Sequence, residues 1–522
     1  MEYGDTYPYN QQTDHVVTMA VPSENAAQNC TPAVVHVKAS VPPTGYAHSL
    51  QQPPQSVPPV EGWFARNRAI MPQMTSAGAA MLVLVSGGMN IAWSCGVTGV
   101  RSFRLERHIF ICWYIAAIIG ALVSAFITNR VSKRLIYLFS SFLVLIGGIF
   151  FVALAHEYGA IAVGRYLNGF AVGLMFVPMI VLIGEEVISS RRGMAAAILE
   201  AGSVTLGIYL QIVFTAAYAH KTTSFDNSFG PTQLHGIVVI VNAVLAFVMS
   251  YFLVVESPVQ HLMENNELEA INCLRRLQRP FVVTQETYQR LEEHKRYIQA
   301  NDPNGDKGIP ALVKLCLIRG LVALSFSSVI TSAVRFATLR YTIKTVTWPS
   351  YTIKIDTWPW ILFGLFLWLG TYIAAFALDL VGRKIVPLIS ALLCGILAIA
   401  IGAICKDLIN NFSQSKVGSV LFMLFVLGLF ASFFSSSSSA YLTEAFPLHM
   451  KPFYIALSFT VQMFVLLIIG VCKKDQNTFG AYFITFGVFY LVFFIIGFFC
   501  LPETKQDSLQ EAQRKFRNFL IR

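Results

Sequence analysis

Charge is scarce in this chain. Asp, Glu, Lys and Arg make up 13% of its 522 residues, against about 25% in an ordinary soluble domain. With 55% hydrophobic residues and a mean hydropathy of +0.59, too little polar sequence remains to cover a soluble fold. The chain reads as a polytopic membrane protein. The nine cysteines are scattered, mostly within apolar runs, and the ten histidines do not cluster. No set has metal-ligand spacing, so neither a metal nor a cofactor is expected, and the cysteines read as small core residues. No nucleophile stands beside a base and no nucleotide loop is present, which argues against an enzyme. The start lacks a basic stretch followed by an apolar core, so it is not a signal peptide. The net charge of +10 is not a nucleic-acid footprint. Much of it lies in short loops between apolar runs, where Lys and Arg hold cytoplasmic ends in place.

Residues 1 to about 70 are rich in Pro, Gln, Ser, Thr and Val and have no period. They read as a disordered cytoplasmic tail. Apolar runs of bilayer length then recur near Ala77–Val97, His108–Thr128, Leu135–Ala155, Ala160–Ile183, Met194–Ala217, Gly236–Val254, Ile309–Ala333, Trp358–Leu378, Ile385–Cys405, Val417–Leu442, Phe453–Val471 and Gly480–Leu501. That makes about twelve spans, all helical, because lipid offers no partner to open backbone groups. The one long interruption, Glu256 to Gly308, carries a helical stripe of Leu262, Leu268, Ile271, Leu274 and Leu277. It divides the chain into a bundle over 71–255, a cytoplasmic linker over 256–308, a second bundle over 309–501 and a tail over 502–522. An even span number puts both termini on one side. Arg130, Lys133, Arg134, Arg191, Arg192, Arg383 and Lys384 share that side, which is expected to be cytoplasmic, while Arg101, Arg104 and Arg107 stand on the other. A tandem repeat, YTIKTVTWPS then YTIKIDTWPW, fills 341–360. It reads as an enlarged external loop, either a lid or a neutral duplication.

The densest polar sequence inside the apolar runs lies between Val163 and Gln211. It holds Gly164-Arg165, Val177-Pro178-Met179, Gly184-Glu185 and Arg192-Gly193. In order and distance these four resemble the GR, VPxY, GE and RG elements of spans four and five in sugar porters of the major facilitator superfamily. The resemblance runs from about residue 77 to 505. It implies an all-α membrane protein with about twelve transmembrane helices in two six-helix bundles, alternately open to either side.

Charge recurs symmetrically. Asn129-Arg130-Val131-Ser132-Lys133-Arg134 after span two and Asp379-Leu380-Val381-Gly382-Arg383-Lys384 after span eight match the family's DRxGRR loop. The first copy has Asn129 for Asp and Ser132 for Gly. Glu185 precedes Arg192 by seven residues, as Glu444 precedes Lys451. Glu256-Ser257-Pro258 and Pro502-Glu503-Thr504-Lys505 resemble the PESP and PETK ends. In the family such charges form a breakable inner gate. Arg130, Arg165, Glu185, Arg192, Asp379, Arg383, Glu444, Lys451 and Glu503 are its candidates here, with Arg130 expected beside Glu185 and Arg192, and Asp379 and Arg383 beside Glu444 and Lys451. Wetted pairs of this kind contribute about 1 kcal/mol at most. Purely topogenic charge is the competing reading.

By the same resemblance Gln211 stands where a sugar-binding Gln is expected and should face a central cavity. The amides expected in span seven are replaced by hydroxyls, Ser327 and Ser332 among them, and the Trp expected in span ten by Ser439. Asn90 and Trp93 in span one complete the candidate substrate contacts. The serine run 435–439 either bends span ten by bonding back to its own carbonyls or packs closely as small residues. Span one holds no acid to face Arg165, which points to passive transport. Glu200 is the one acid well inside a span, free to pair with Arg165 or serve the gate. The reading is a facilitative carrier of sugars or related small polar solutes in a lipid bilayer, at the plasma membrane. The same scaffold moving a non-sugar organic solute, or a solute sensor that no longer transports, are the alternatives. Nothing in the sequence fixes an oligomeric state.

Overall fold

The computed structural model describes residues 71–98, 106–218, 229–301, 308–342, 357–411, 413–472 and 476–520, all within one compact unit, Pro54–Arg522. The N-terminal tail and residues 343–356 of the tandem repeat lie outside the described residues.

Every span expected from hydropathy is a helix. Eleven cross without a sharp bend: Arg107–Ile127, Lys133–Ala153, Tyr158–Glu186, Arg192–Ala217, Pro231–Leu253, Ile309–Tyr341, Trp358–Leu380, Ile385–Leu408, Gln414–Glu444, Lys451–Val471 and Thr478–Cys500. The first span is two helices, Met71–Ala77 and Met81–Ser94, bent by 53°. It therefore starts earlier than the apolar run indicated. Faces that meet no neighbour carry large apolar side chains such as Phe126, Phe252, Phe422 and Ile495, which suits contact with acyl chains.

Spans three and six pack together, as do nine and twelve at the same places in the second half. The halves meet chiefly where span two lies against span eleven and span five against span eight. Those two contacts exchange under the relation between the halves. Aromatic pairs lie in and beside them: Tyr209 of span five stacks on Trp368 of span eight at 5.7 Å, and Phe176 of the neighbouring span four meets Phe459 of span eleven at 4.3 Å.

Two departures from regular helix position the centre. Span seven breaks between Ser325 and Ser328. A break inside a bilayer leaves carbonyls without partners. Tyr482 of span twelve donates to Leu324 O at 2.8 Å, and Tyr490 to Leu321 O at 3.0 Å. Span five contains a π-turn, Ala197–Gly202, a form that is found mostly at functional sites. The serine run, by contrast, leaves span ten a continuous helix over Gln414–Glu444. Ser436 and Ser437 each bond back to the carbonyl four residues earlier at 2.9 Å.

The linker forms three helices, α1 (Pro258–Met263), α2 (Glu267–Arg276) and α3 (Gln285–Ala300). A fourth, α4 (Leu509–Phe516), follows span twelve. α4 buries Leu509, Ala512 and Phe516, and its Gln513 donates to Phe446 O at 2.5 Å and to the Tyr297 hydroxyl of α3 at 3.2 Å.

Candidate functional site

The linker-side ends of both halves hold a buried set of charges, and its pairs run crosswise. Arg192 Nη1 of the first half lies 3.2 Å from Glu444 Oε1 of the second. Lys451 Nζ of the second half lies 3.8 Å from Glu185 Oε1 of the first. Arg383 also bonds Glu444 Oε1, and its Nη2 donates to Ser189 O of the first half at 3.0 Å. Asp379 Oδ2 accepts the Met194 amide at 3.1 Å, placing a carboxylate of span eight at the start of span five, where a helix end favours negative charge. Of the expected pairing, Arg383 stays with Glu444 and lies 3.7 Å from Asp379 within the second half, but the rest is corrected: Glu185 takes Lys451 rather than Arg130 or Arg192, and Arg192 goes to Glu444 across the boundary. Arg130 is exposed and takes no part. Close approach explains two motif glycines. A Cβ on Gly184 would stand 2.6 Å from Thr443 O, and one on Gly193 would stand 2.7 Å from Asp379 Oδ1.

Glu503 behaves differently from the other carboxylates in this set. It accepts the amides of Arg383, Lys384 and Lys505 at 2.8–3.0 Å, pinning the loop that opens span nine. Glu256 does the same in the first half, accepting the Lys133 and Arg134 amides at 3.2 Å and the Ser132 hydroxyl. This accounts for the departure at Ser132. Gly382 stands at φ +131 with Glu503 Oε2 2.6 Å from where a Cβ would be. Ser132 has φ −51 and uses its side chain to hold Glu256.

Midway through the bundle lies an ion pair that the sequence reading missed. Glu200, on the π-turn, accepts from Arg319 Nη1 of span seven at 2.9 Å and from the Ser439 hydroxyl of span ten. Arg319 Nη1 also donates to Gln462 Oε1 of span eleven at 3.0 Å, and its guanidinium lies 5.6 Å from the Phe176 ring centre. One residue of the first half is thereby tied to three spans of the second. Glu200, Thr205, Phe176, Ser435 and Gln462 line a central cavity of about 30 Å³, room for roughly one water molecule. Arg319 had a signal that went unread, an arginine inside an apolar run. Such a residue in a span points to a buried partner.

Glu200 therefore does not pair with Arg165. That guanidinium is held by neutral groups, Asn90 Oδ1 and Ile109 O, each at 3.0 Å, and the Ser94 hydroxyl, over the face of Trp93 at 4.5 Å. It lies apart from the linker-side charges, because span four separates it from Glu185 by twenty residues. Asn90 and Trp93 are both fully buried in this clasp. Gln211 is not among the side chains lining the central cavity. It donates to Val97 O at 2.9 Å and contacts His235 Nδ1 at 2.8 Å, joining spans one, five and six. Ser327 meets the Tyr482 hydroxyl at 2.7 Å. Ser439 reaches the centre through Glu200, and Ser332 lines a cavity of about 200 Å³ at the side opposite the linker. Among the described residues no group of His, Cys, Asp and Glu is arranged to hold a metal ion.

Residues 96–516 match the model of a family described as sugar (and other) transporter. The facilitated trehalose transporter of Apis mellifera ligustica is 22% identical over 412 residues, 77% of this chain and 78% of its own. A hexose transporter of Plasmodium knowlesi is 20% identical over 433 residues, 80% and 83% of the two chains. Among solved structures, the major facilitator proton:xylose symporter XylE bound to 6-bromo-6-deoxy-D-glucose superposes with a TM-score of 0.68 at 17% identity, covering 86% of this chain and 99% of that one. The inward-open form of XylE from E. coli gives 0.58 at 18% identity over 85% and 99%.

Proposed function

The chain belongs to the sugar (and other) transporter family, and on that premise we propose that it carries sugars or related small polar solutes passively across the plasma membrane by alternating access. The linker, the charge set and both termini are assigned to the cytosol. The observation that carries this reading is the crosswise pairing at the linker side. The contacts of Arg192 with Glu444, of Lys451 with Glu185 and of Arg383 with Ser189 O join opposite halves and exist only while the halves are closed there. The larger cavity lies at the other end, so the described state is one sealed on the linker side. The neutral surroundings of Arg165 support passive transport, since no carboxylate of span one is there to exchange a proton.

A non-sugar organic solute is the second reading. It is favoured by Gln211, Asn90 and Trp93, which hold other protein groups rather than lining the cavity. The test is uptake into liposomes containing the purified full-length chain, with labelled trehalose, hexoses and a panel of other polar solutes. Saturable uptake indifferent to a protonophore is expected. Solute-driven alkalinisation of the bath, abolished by the protonophore, would replace the passive mechanism with a proton-coupled one.

A further inference from the structure

The 200 Å³ cavity opposite the linker is walled by both halves. Gly96 and Phe110 come from the first, and Thr331, Ser332, Arg335 and Trp360 from the second. It therefore lies on the boundary that must open for a solute to enter from that side. The space is open as well as large. It has the volume of a single-ring solute rather than of one or two waters, and a Cβ on Gly96 would meet no atom within 4 Å.

Its chemistry is lopsided. Among the described residues no Asp or Glu lines it. Arg335 is exposed there, and a guanidinium offers five N–H donors and no acceptor. Trp360 Nε1, a donor only, is buried without a hydrogen-bond partner. The Ser332 hydroxyl proton goes to Ser328 O at 2.7 Å, leaving its lone pairs to the cavity. Glu106 and Arg107 stand about one turn from Phe110 on the same span, both exposed, and their formal charges offset each other. The cavity thus holds unmatched positive charge and spare donors between two aromatic side chains. A neutral hexose can accept from these donors through its hydroxyl oxygens, but it carries no negative charge to answer Arg335. A planar carboxylate answers it, because it accepts two parallel N–H bonds from a guanidinium fork, and an adjoining ring can lie against Trp360 or Phe110.

We propose that this outer cavity is a capture site for a ring-bearing solute with a carboxylate, a sugar acid in chemical class, with Arg335 as the residue that selects the charge and Trp360 Nε1 as a second donor. This rests on the reading of the chain as a solute carrier and narrows its substrate class.

D-glucuronate and D-glucose test the proposal, because they share a ring and differ at one carboxylate. Binding to the purified full-length chain is read by tryptophan fluorescence, and uptake is read in liposomes. Wild type should bind glucuronate at least tenfold more tightly than glucose, since a hydrogen bond to a charged group is worth roughly ten- to a hundredfold. Arg335→Gln should reduce that ratio to about threefold or less. Trp360→Phe, which keeps a ring and removes the N–H, should weaken glucuronate by a few fold. The preference should also fall as salt rises. Equal binding of the two ligands, a preference untouched by Arg335→Gln, or no binding of either would each overturn the proposal. Uptake separates it from the wider reading. Transport of glucose but not glucuronate overturns the proposal and keeps the carrier. Glucuronate binding that depends on Arg335, with no solute transported at all, keeps the site and overturns the carrier.

Discussion

Glu444→Gln should unseal the linker-side end. The carboxylate is fully buried, with Arg192 Nη1 at 3.2 Å and Arg383 on the same oxygen. Gln keeps the shape and removes the charge, leaving two buried guanidinium groups that share no anion. Breaking one partner of a buried pair costs about 3–5 kcal/mol. The cost falls on the sealed state, because opening wets the same groups, and exposed pairs are worth only about 0–1 kcal/mol. The difference, about 2–5 kcal/mol, shifts the population ratio toward the inward-open state by roughly 30- to 5,000-fold. This exceeds the expectation from sequence, which treated the pairs as wetted. Electron spin–spin distances would read the shift. Labels at the exposed positions Arg130 and Leu380 place one probe on each half at the linker side, after the exposed thiol of Cys472 has been replaced. The distance distribution should move from mostly short to mostly long. Combining Arg192→Gln with Glu444→Gln should produce less than the sum of the two single effects, since they remove one interaction. A Glu444→Gln distribution identical to that of wild type would mean that these charges orient the chain in the membrane and do not gate it.

Two further outcomes follow from the same contacts. Arg319→Met alone leaves Glu200 buried without a cation and should cost about 3–5 kcal/mol, seen as a lower thermal midpoint in detergent. Adding Glu200→Gln should recover most of that loss, and a double variant as unstable as the single would refute the pairing as the cause. Gly382→Ala should cost about 1–3 kcal/mol through a backbone that L side chains avoid and a contact with Glu503. Ser132→Gly, at the matching place but with ordinary φ, should not show that backbone penalty, and equal thermal losses would refute the distinction.

The bilayer explains why so much was legible beforehand. Lipid forces each span to close its own backbone hydrogen bonds, so length and hydropathy alone placed twelve helices, and recurrence of charge at Glu185 and Glu444 marked two related halves. Motif spacing also located the residues of the charge set, because their distances along one chain segment are local. Which charges touch was not local. Arg192 and Glu444 are 252 residues apart, and their contact depends on how one half faces the other. Sequence spacing paired them within halves, and the structure pairs them across. The same holds at the centre. A π-turn places Glu200 against Arg319, 119 residues away, while Gln211, eleven positions further along the same span, spends its amide on Val97 and His235. Helix identity is determined by lipid acting on each segment separately. Partnership between buried polar groups is determined by the relative rotation of helices, which only the packed tertiary structure decides.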